Sequence, residues 1–261
     1  MKCIVYDDNL SNDQKFLLNG LKLNQEIKVE GFEGSQFDFA FGVGEGQLLA
    51  LHLAGAYSDE SILELAQARS EAISSASDSS LVTALVTASK VEDFLNMVDS
   101  LSNQENLLNV VDYFSKEDIL LSGKKRILDK ACASVPEVGC QVLYDRQALH
   151  MIYAKEAIAH YAKTLRQHEI FPLNLPVINT RNMQLIEHHE LAQELLDSLT
   201  LPQNFMSAIH FASMLGVDEF TIVSNETLDL EKFILKILPQ AKIQKVAFIE
   251  ISLANMEVTG R

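Results

Sequence analysis

Positive charge is scarce in this sequence. Its 21 lysines and arginines stand against 36 aspartates and glutamates, a formal net charge of −15. Such a field repels phosphates, which argues against nucleic acid or an anionic membrane surface as partner. It also favours an acidic partner only where basic residues cluster. Cysteine is sparse too. Cys3, Cys132 and Cys140 are odd in number and lack metal-ligand spacing, so reduced thiols in a cytoplasmic protein are expected, with no metal site. No apolar stretch reaches the roughly 20 residues a membrane-spanning helix needs. The opening run, Met1 to Tyr6, ends at Asp7-Asp8 and is too short for a signal-peptide core. Internal repeats and low-complexity tracts are missing as well. What remains is a 261-residue chain, 48% hydrophobic, with ample material for a sizeable core.

Residues 4–6 read as a strand and 13–23 as a short helix. Phe37-Asp38-Phe39-Ala40-Phe41 alternates apolar and acidic like a strand and runs straight into Gly42-Val43-Gly44-Glu45-Gly46-Gln47. Helices follow at 48–55, closed by Gly55, and at 59–76. A Ser/Ala/Asp stretch at 74–80 marks a boundary. Beyond it come a strand (81–88), a helix (91–101), strands at 107–114 and 119–121, a helix (124–133) and a strand (140–144). That βαββαβ order is the ferredoxin-like pattern. A helix at 150–166, a strand at 175–178, helices at 183–199 and 204–215, a strand at 220–223, a helix at 230–238 and a strand at 245–253 complete the chain. The expected architecture is an α/β large domain from 1–78 and 146–261, with a ferredoxin-like subdomain inserted at 79–145.

Gly-x-x-x-Gly between a strand and a helix has the form of a nucleophile elbow. Glycines relieve crowding on both sides of a sharp turn, and the central residue is held up to substrate over a helix N-terminus. Here that residue is Gly44, which offers no nucleophile. The motif by itself equally suits a tight turn. Glu45 beside the helix start disfavours a phosphate there.

The segment Phe39-Ala40-Phe41-Gly42-Val43-Gly44-Glu45-Gly46-Gln47, followed by Leu51-His52-Leu53-Ala54-Gly55, resembles the signature of malonyl-CoA:acyl carrier protein transacylases and polyketide-synthase acyltransferases. In that register Val43 replaces the family histidine, Gly44 the acylated serine and Gln47 a glutamate. Glu64-Leu65-Ala66-Gln67-Ala68-Arg69 resembles the family helix whose arginine pairs with the malonyl carboxylate, although a solvated helix arginine would look the same. Gln147-Ala148-Leu149-His150 resembles the family's four-residue box ending in the catalytic histidine. Leu201-Pro202-Gln203-Asn204-Phe205 resembles the opening of the family's penultimate helix, and Gly216-Val217-Asp218-Glu219-Phe220 the strand after it. The resemblance covers about residues 37–238.

The resemblance implies an α/β-hydrolase-like acyltransferase domain with an inserted ferredoxin-like subdomain. It also implies His150 at the base position and Gly44 as an empty nucleophile position. Arg69, Glu45, Gln47 and Leu149 would face substrate. No resident cofactor is implied, and the ligand would be a CoA or phosphopantetheine thioester. Lys124-Lys125-Arg126, the densest basic cluster, would dock an acidic acyl carrier protein, although such clusters are commonly just solvated.

Several departures weigh against acyl-serine chemistry. The family's Pro-Gly-Gln-Gly oxyanion loop reads Asp7-Asp8-Asn9, its C-terminal Gly-Pro-Gly turn reads Ser224-Asn225-Glu226, and the segment before the elbow is shortened. The expected function is therefore an acyltransferase-fold pseudoenzyme of fatty-acid or polyketide biosynthesis that binds a carrier protein, an acyl thioester or a synthase subunit. One alternative is an active acyltransferase or thioester hydrolase with His150 as general base and no serine. Another is a structural partner of a complete acyltransferase, in a hetero-oligomer. Glu187-His188-His189-Glu190 cannot chelate a metal as a run, because neighbouring helical residues point about 100° apart.

Overall fold

A computed structural model of the chain describes residues 1–7, 14–30, 37–101, 108–135, 137–145, 155–224 and 228–247. The elements in chain order are β1 (Lys2–Tyr6), α1 (Gln14–Glu30), β2 (Phe39–Gly42), α2 (Gly46–Leu53), α3 (Asp59–Ala76), β3 (Leu81–Thr87), α4 (Val91–Leu101), β4 (Leu108–Tyr113) and β5 (Asp118–Lys124). There follow α5 (Lys125–Ser134), β6 (Gly139–Asp145), α6 (Lys155–Leu165), α7 (Leu191–Asp197), α8 (Phe205–Met214), β7 (Glu219–Ser224), α9 (Leu230–Ile237) and β8 (Lys242–Ala247).

The α/β class expected from the sequence is the class observed. One sheet is all parallel, in the order β2-β1-β7-β8. Parallel sheets carry helices on both faces, so their strands read as unbroken apolar runs. Ile4, Val5 and Tyr6 of β1 and all four residues of β2 are buried. Beside β2, residues 175–178 make a single parallel bridge, Ala40 to Val177, rather than the expected strand. Pro176 on that segment has no N–H for a ladder, and its carbonyl accepts from Ala40 N at 3.0 Å.

The second sheet is antiparallel, in the order β4-β5-β3-β6, and comes from residues 81–145. One face packs on α4 and α5 through Phe94, Val98, Ile127, Leu128 and Ala131. Val111, Phe114 and Leu120 join the core of the parallel sheet instead. Phe114 is the joint between the layers. Its ring lies 5.5 Å from Phe205 of α8 and stacks on Phe233 of α9 at 4.7 Å and 22°.

Buried polar groups explain what apolar periodicity misses. The apolar pattern stops α1 near residue 23, yet the helix continues to Glu30. Asn24 anchors it: its side-chain N–H donates to Leu49 O at 2.9 Å, and its oxygen accepts from the Tyr6 hydroxyl. The same amide contacts His52 Nδ1 at 3.0 Å, and His52 Nε2 lies 2.6 Å from Asp59 Oδ1. An amide donor at Nδ1 places the ring proton on Nε2, facing the carboxylate.

A helix over 183–199 does not form as one piece. Residues 180–184 are turns and bends, Leu185 bridges Ile178, and helix begins at His188 as a short 3-10 turn leading into α7. The reason lies upstream, where Arg181 N donates to Asn179 Oδ1 at 2.8 Å and starts an Asx turn. Arg181 is then held by Glu194 at 2.6 Å and Asp197 at 2.9 Å, both on α7.

Candidate functional site at the β2–α2 elbow

The turn from β2 into α2 sits over the C-terminal end of the parallel sheet. Val43 N donates to Tyr6 O at 2.9 Å, which pins the turn to the end of β1. A side chain at Gly42 would place its Cβ 2.1 Å from the Gly46 carbonyl carbon. One at Gly46 would come within 2.5 Å of the Tyr6 and Asp7 carbonyl oxygens. Both glycines are therefore dictated by the close crossing of backbone. Gly44, at the apex, has φ 55, the left-handed region. The elbow is present in full, and its apex carries no side chain.

Arg69 lies on α3, and it and Glu45 of the elbow both act on one buried hydroxyl, that of Tyr161 on α6. Ile62, Leu65, Ala66, Ala72 and Ile73 bury one face of that helix, and position 69 falls within the same stripe. The arginine is 5% exposed, and its Nε has no hydrogen-bond partner among the described residues. A solvated helix arginine is thus not what the fold contains. Burial raises the Tyr161 phenol above its ordinary range, with the Arg69 charge pulling the other way. Burial likewise pushes Tyr57, in the α2–α3 connection, up to about 12. Both phenol oxygens lack hydrogen-bond partners among the described residues, as does Gln47 Oε1 on the first turn of α2. Glu45 and Gln47 are both buried at the start of that helix.

Buried polar atoms without partners are rare in folded proteins and point to a ligand or water where they gather. Here they are the Arg69 guanidinium and two phenols, which can donate, beside a buried acceptor in Gln47 Oε1 and the buried Glu45 carboxylate. The donors suit an anionic oxygen-rich group, with the Glu45 carboxylate opposing it.

Gln203 completes the site, and the sequence reading does not single it out within the 201–205 segment. Its Oε1 accepts from the Gly44 N–H at 3.3 Å, and its Nε2 is buried without a partner. Its backbone joins the second sheet: Gln203 N donates to Val111 O at 2.8 Å and Tyr113 N to Gln203 O at 3.3 Å. Phe205 N donates to Asp112 Oδ1 at 2.8 Å. The polar Gln-Asn pair between Pro202 and an apolar helix marks a helix start in the sequence and does not point to the elbow.

His150 and Leu149 lie outside the described residues, as do Asp8, Asn9, Asn225 and Glu226. Of the two divergent loops, Asp7 and Ser224 are described, and the Ser224 hydroxyl donates to Asp7 Oδ2. Lys124, Lys125 and Arg126 sit at the β5–α5 junction of the second sheet. Lys124 is engaged by Ser80 at 2.6 Å, and Lys125 by Asp129 at 2.8 Å. Among the described residues, no group of three His, Cys, Asp or Glu could hold a metal ion, and no helix is long and apolar enough to cross a membrane.

No protein-family model matches the chain. The chain aligns with the polyketide biosynthesis protein ThaF of Burkholderia thailandensis at 24% identity over 206 residues, which is 77% of this chain and 17% of ThaF. It therefore spans less than a fifth of that relative. Among solved structures, an acyl carrier protein S-malonyltransferase from Vibrio cholerae superposes with a TM-score of 0.83 at 15% identity, covering 95% of this chain and 97% of the other. A type II polyketide malonyl-transacylase, solved in complex with its acyl carrier protein, gives 0.82 at 15% identity, with 94% and 95% covered. The malonyl CoA-acyl carrier protein transacylase of Coxiella burnetii gives 0.81 at 14%, with 94% and 93% covered. The chain shares the fold of these malonyl transacylases.

Proposed function

We propose that the protein binds a carboxylated acyl thioester, carried by CoA or an acyl carrier protein in fatty-acid or polyketide biosynthesis, without forming an acyl-serine. The observation that carries this reading is an elbow kept to the last glycine around an apex, Gly44, that has no nucleophile. Removing the nucleophile from a triad-type site costs orders of magnitude in rate. Binding does not depend on it.

The buried Arg69 supports an acidic acyl group. An arginine with an uncommitted donor in an apolar interior costs free energy that a ligand carboxylate would offset through a charge-assisted hydrogen bond. Arg69 would clamp the carboxylate, Glu45 and Gln47 would line the elbow, and the phosphopantetheine thioester would cross Gly44. The carrier protein as partner rests on the shared fold with a transacylase solved in such a complex, and Lys124, Lys125 and Arg126 are the basic surface to test for it.

Calorimetric titration with malonyl-CoA, acetyl-CoA and malonylated carrier protein tests the reading. Malonyl-CoA should bind and be recovered intact, and acetyl-CoA should bind at least tenfold more weakly, about 1.4 kcal/mol. No binding of any of the three at modest salt would refute it.

A further inference from the structure

The Gln203 carboxamide has one end committed and one end free, and its orientation follows from chemistry. Gly44 N–H is a donor, so the side-chain oxygen must face it, at 3.3 Å. The NH2 group of the same planar amide is then left for another acceptor. It is buried, in a side chain 3% exposed, and meets no acceptor among the described residues. A buried amide N–H without a partner costs about 1–3 kcal/mol unless a ligand or water accepts from it.

Gln203 is also held from behind. Its backbone is bonded on both sides to β4, and the next residues are fixed by Asn204 N to Thr180 O at 2.6 Å and Phe205 N to Asp112 Oδ1. The carboxamide can therefore be presented with little rotamer entropy still to lose. At an elbow whose apex has no side chain, this carboxamide meets the apex N–H directly.

We propose that Gln203 is the residue that recognises the thioester carbonyl: its NH2 group donates to the carbonyl oxygen of an acyl group lying over Gly44, while Arg69 holds the distal carboxylate. The proposal rests on the acyl-thioester reading above and adds a second point of recognition to it. It makes the site selective for an intact acyl carbonyl, with no bond formed or broken.

A matched pair of ligands separates the two readings. One is the oxygen-for-sulfur analogue of malonyl-CoA, an ester. The other is the corresponding ether, in which CH2 replaces the carbonyl and the carboxylate is kept. The protein should bind the ester about tenfold more tightly than the ether. Gln203→Met, similar in volume without the amide, should lower ester affinity to that of the ether and leave ether affinity unchanged. Gln203→Ala should do the same, and melting curves identify whichever variant keeps the fold. Equal binding of ester and ether by the parent protein would overturn the role of Gln203 and leave the acyl-thioester site standing. An ester preference that survives in a folded Gln203 variant would also overturn it. Binding of neither analogue would remove both readings.

Discussion

The Gly44 N–H and the Gln203 carboxamide oxygen meet at 3.3 Å, joining an elbow of the parallel sheet to a residue whose backbone is bonded to the antiparallel sheet. A serine at the apex would project a side chain at this point. The elbow glycines are consequently not equivalent. Gly44→Ser puts a side chain on a left-handed φ, at about 1 kcal/mol, and should fold with a lower melting temperature. Gly46→Ala drives a Cβ to 2.5 Å from two backbone carbonyls and should cost about 3 kcal/mol or more, or yield no soluble protein. Denaturant melts of the two variants check the contrast.

Arg69→Met separates binding from stability. Replacing a buried, incompletely bonded cation by an apolar chain of similar length is expected to leave stability unchanged or raise it by about 1 kcal/mol. Malonyl-CoA affinity should fall about 10- to 100-fold, the loss of a charged hydrogen bond or two, while acetyl-CoA affinity stays level. Titrations with both ligands, beside a thermal melt, read all three quantities.

Asp118 and Lys236 tie α9 to the second sheet at 2.5 Å, with the carboxylate fully buried. Burial opposes the Asp118 charge. Hydrogen bonds from Lys236, Ser115 and Thr87 outweigh that and hold the carboxyl below its ordinary value. Its contribution is therefore complete above the unfolded carboxylate value of about 4 and is lost as pH falls through the lower folded value. Burial likewise opposes the Lys236 charge, and hydrogen bonding to Asp118 outweighs it and raises the ammonium. Its share is present below about pH 10.4 and lost as pH rises through the higher folded value. Asp118→Asn should cost about 2 kcal/mol at pH 7, with the difference from the parent shrinking at both extremes. Chemical melts across pH measure it.

Cys140 should be the reactive thiol. The Cys132 thiol hydrogen-bonds to it and lowers it to about 7, partly against burial, while Cys132 itself is raised. Cys3 is fully buried and also raised, chiefly by burial. Iodoacetamide at pH 7 should label Cys140 first, and Cys132→Ala should slow that labelling several-fold by removing the donor. Peptide mapping of early time points would show any other order.

Much of the fold was legible because the apolar pattern changes period where the architecture changes. α3 runs over residues 59–76 as its pattern and the Ser58 cap require, and the strand–helix order of residues 81–145 is plain in the sequence. Where polar side chains decide, periodicity fails. Asn24 extends α1, and the Asx turn at Asn179 breaks a helix that the apolar spacing of Leu185, Ile186 and Leu191 suggests. At the site, Gly44 and Arg69 could be picked out because each sits inside a patterned element. Gln203 could not, because its partner Gly44 is 159 positions away and no local signal joins them.

The central claim is that this elbow binds without acylation. The direct measurement is incubation of the purified protein with radiolabelled malonyl-CoA and phosphopantetheinylated carrier protein, following covalent label on the protein and transfer to the carrier. The account predicts neither label nor transfer, in the parent and in His150→Ala alike, beside a complete transacylase that does both. Transfer or hydrolysis that disappears in His150→Ala, or a malonyl group bound covalently to this chain, would contradict it.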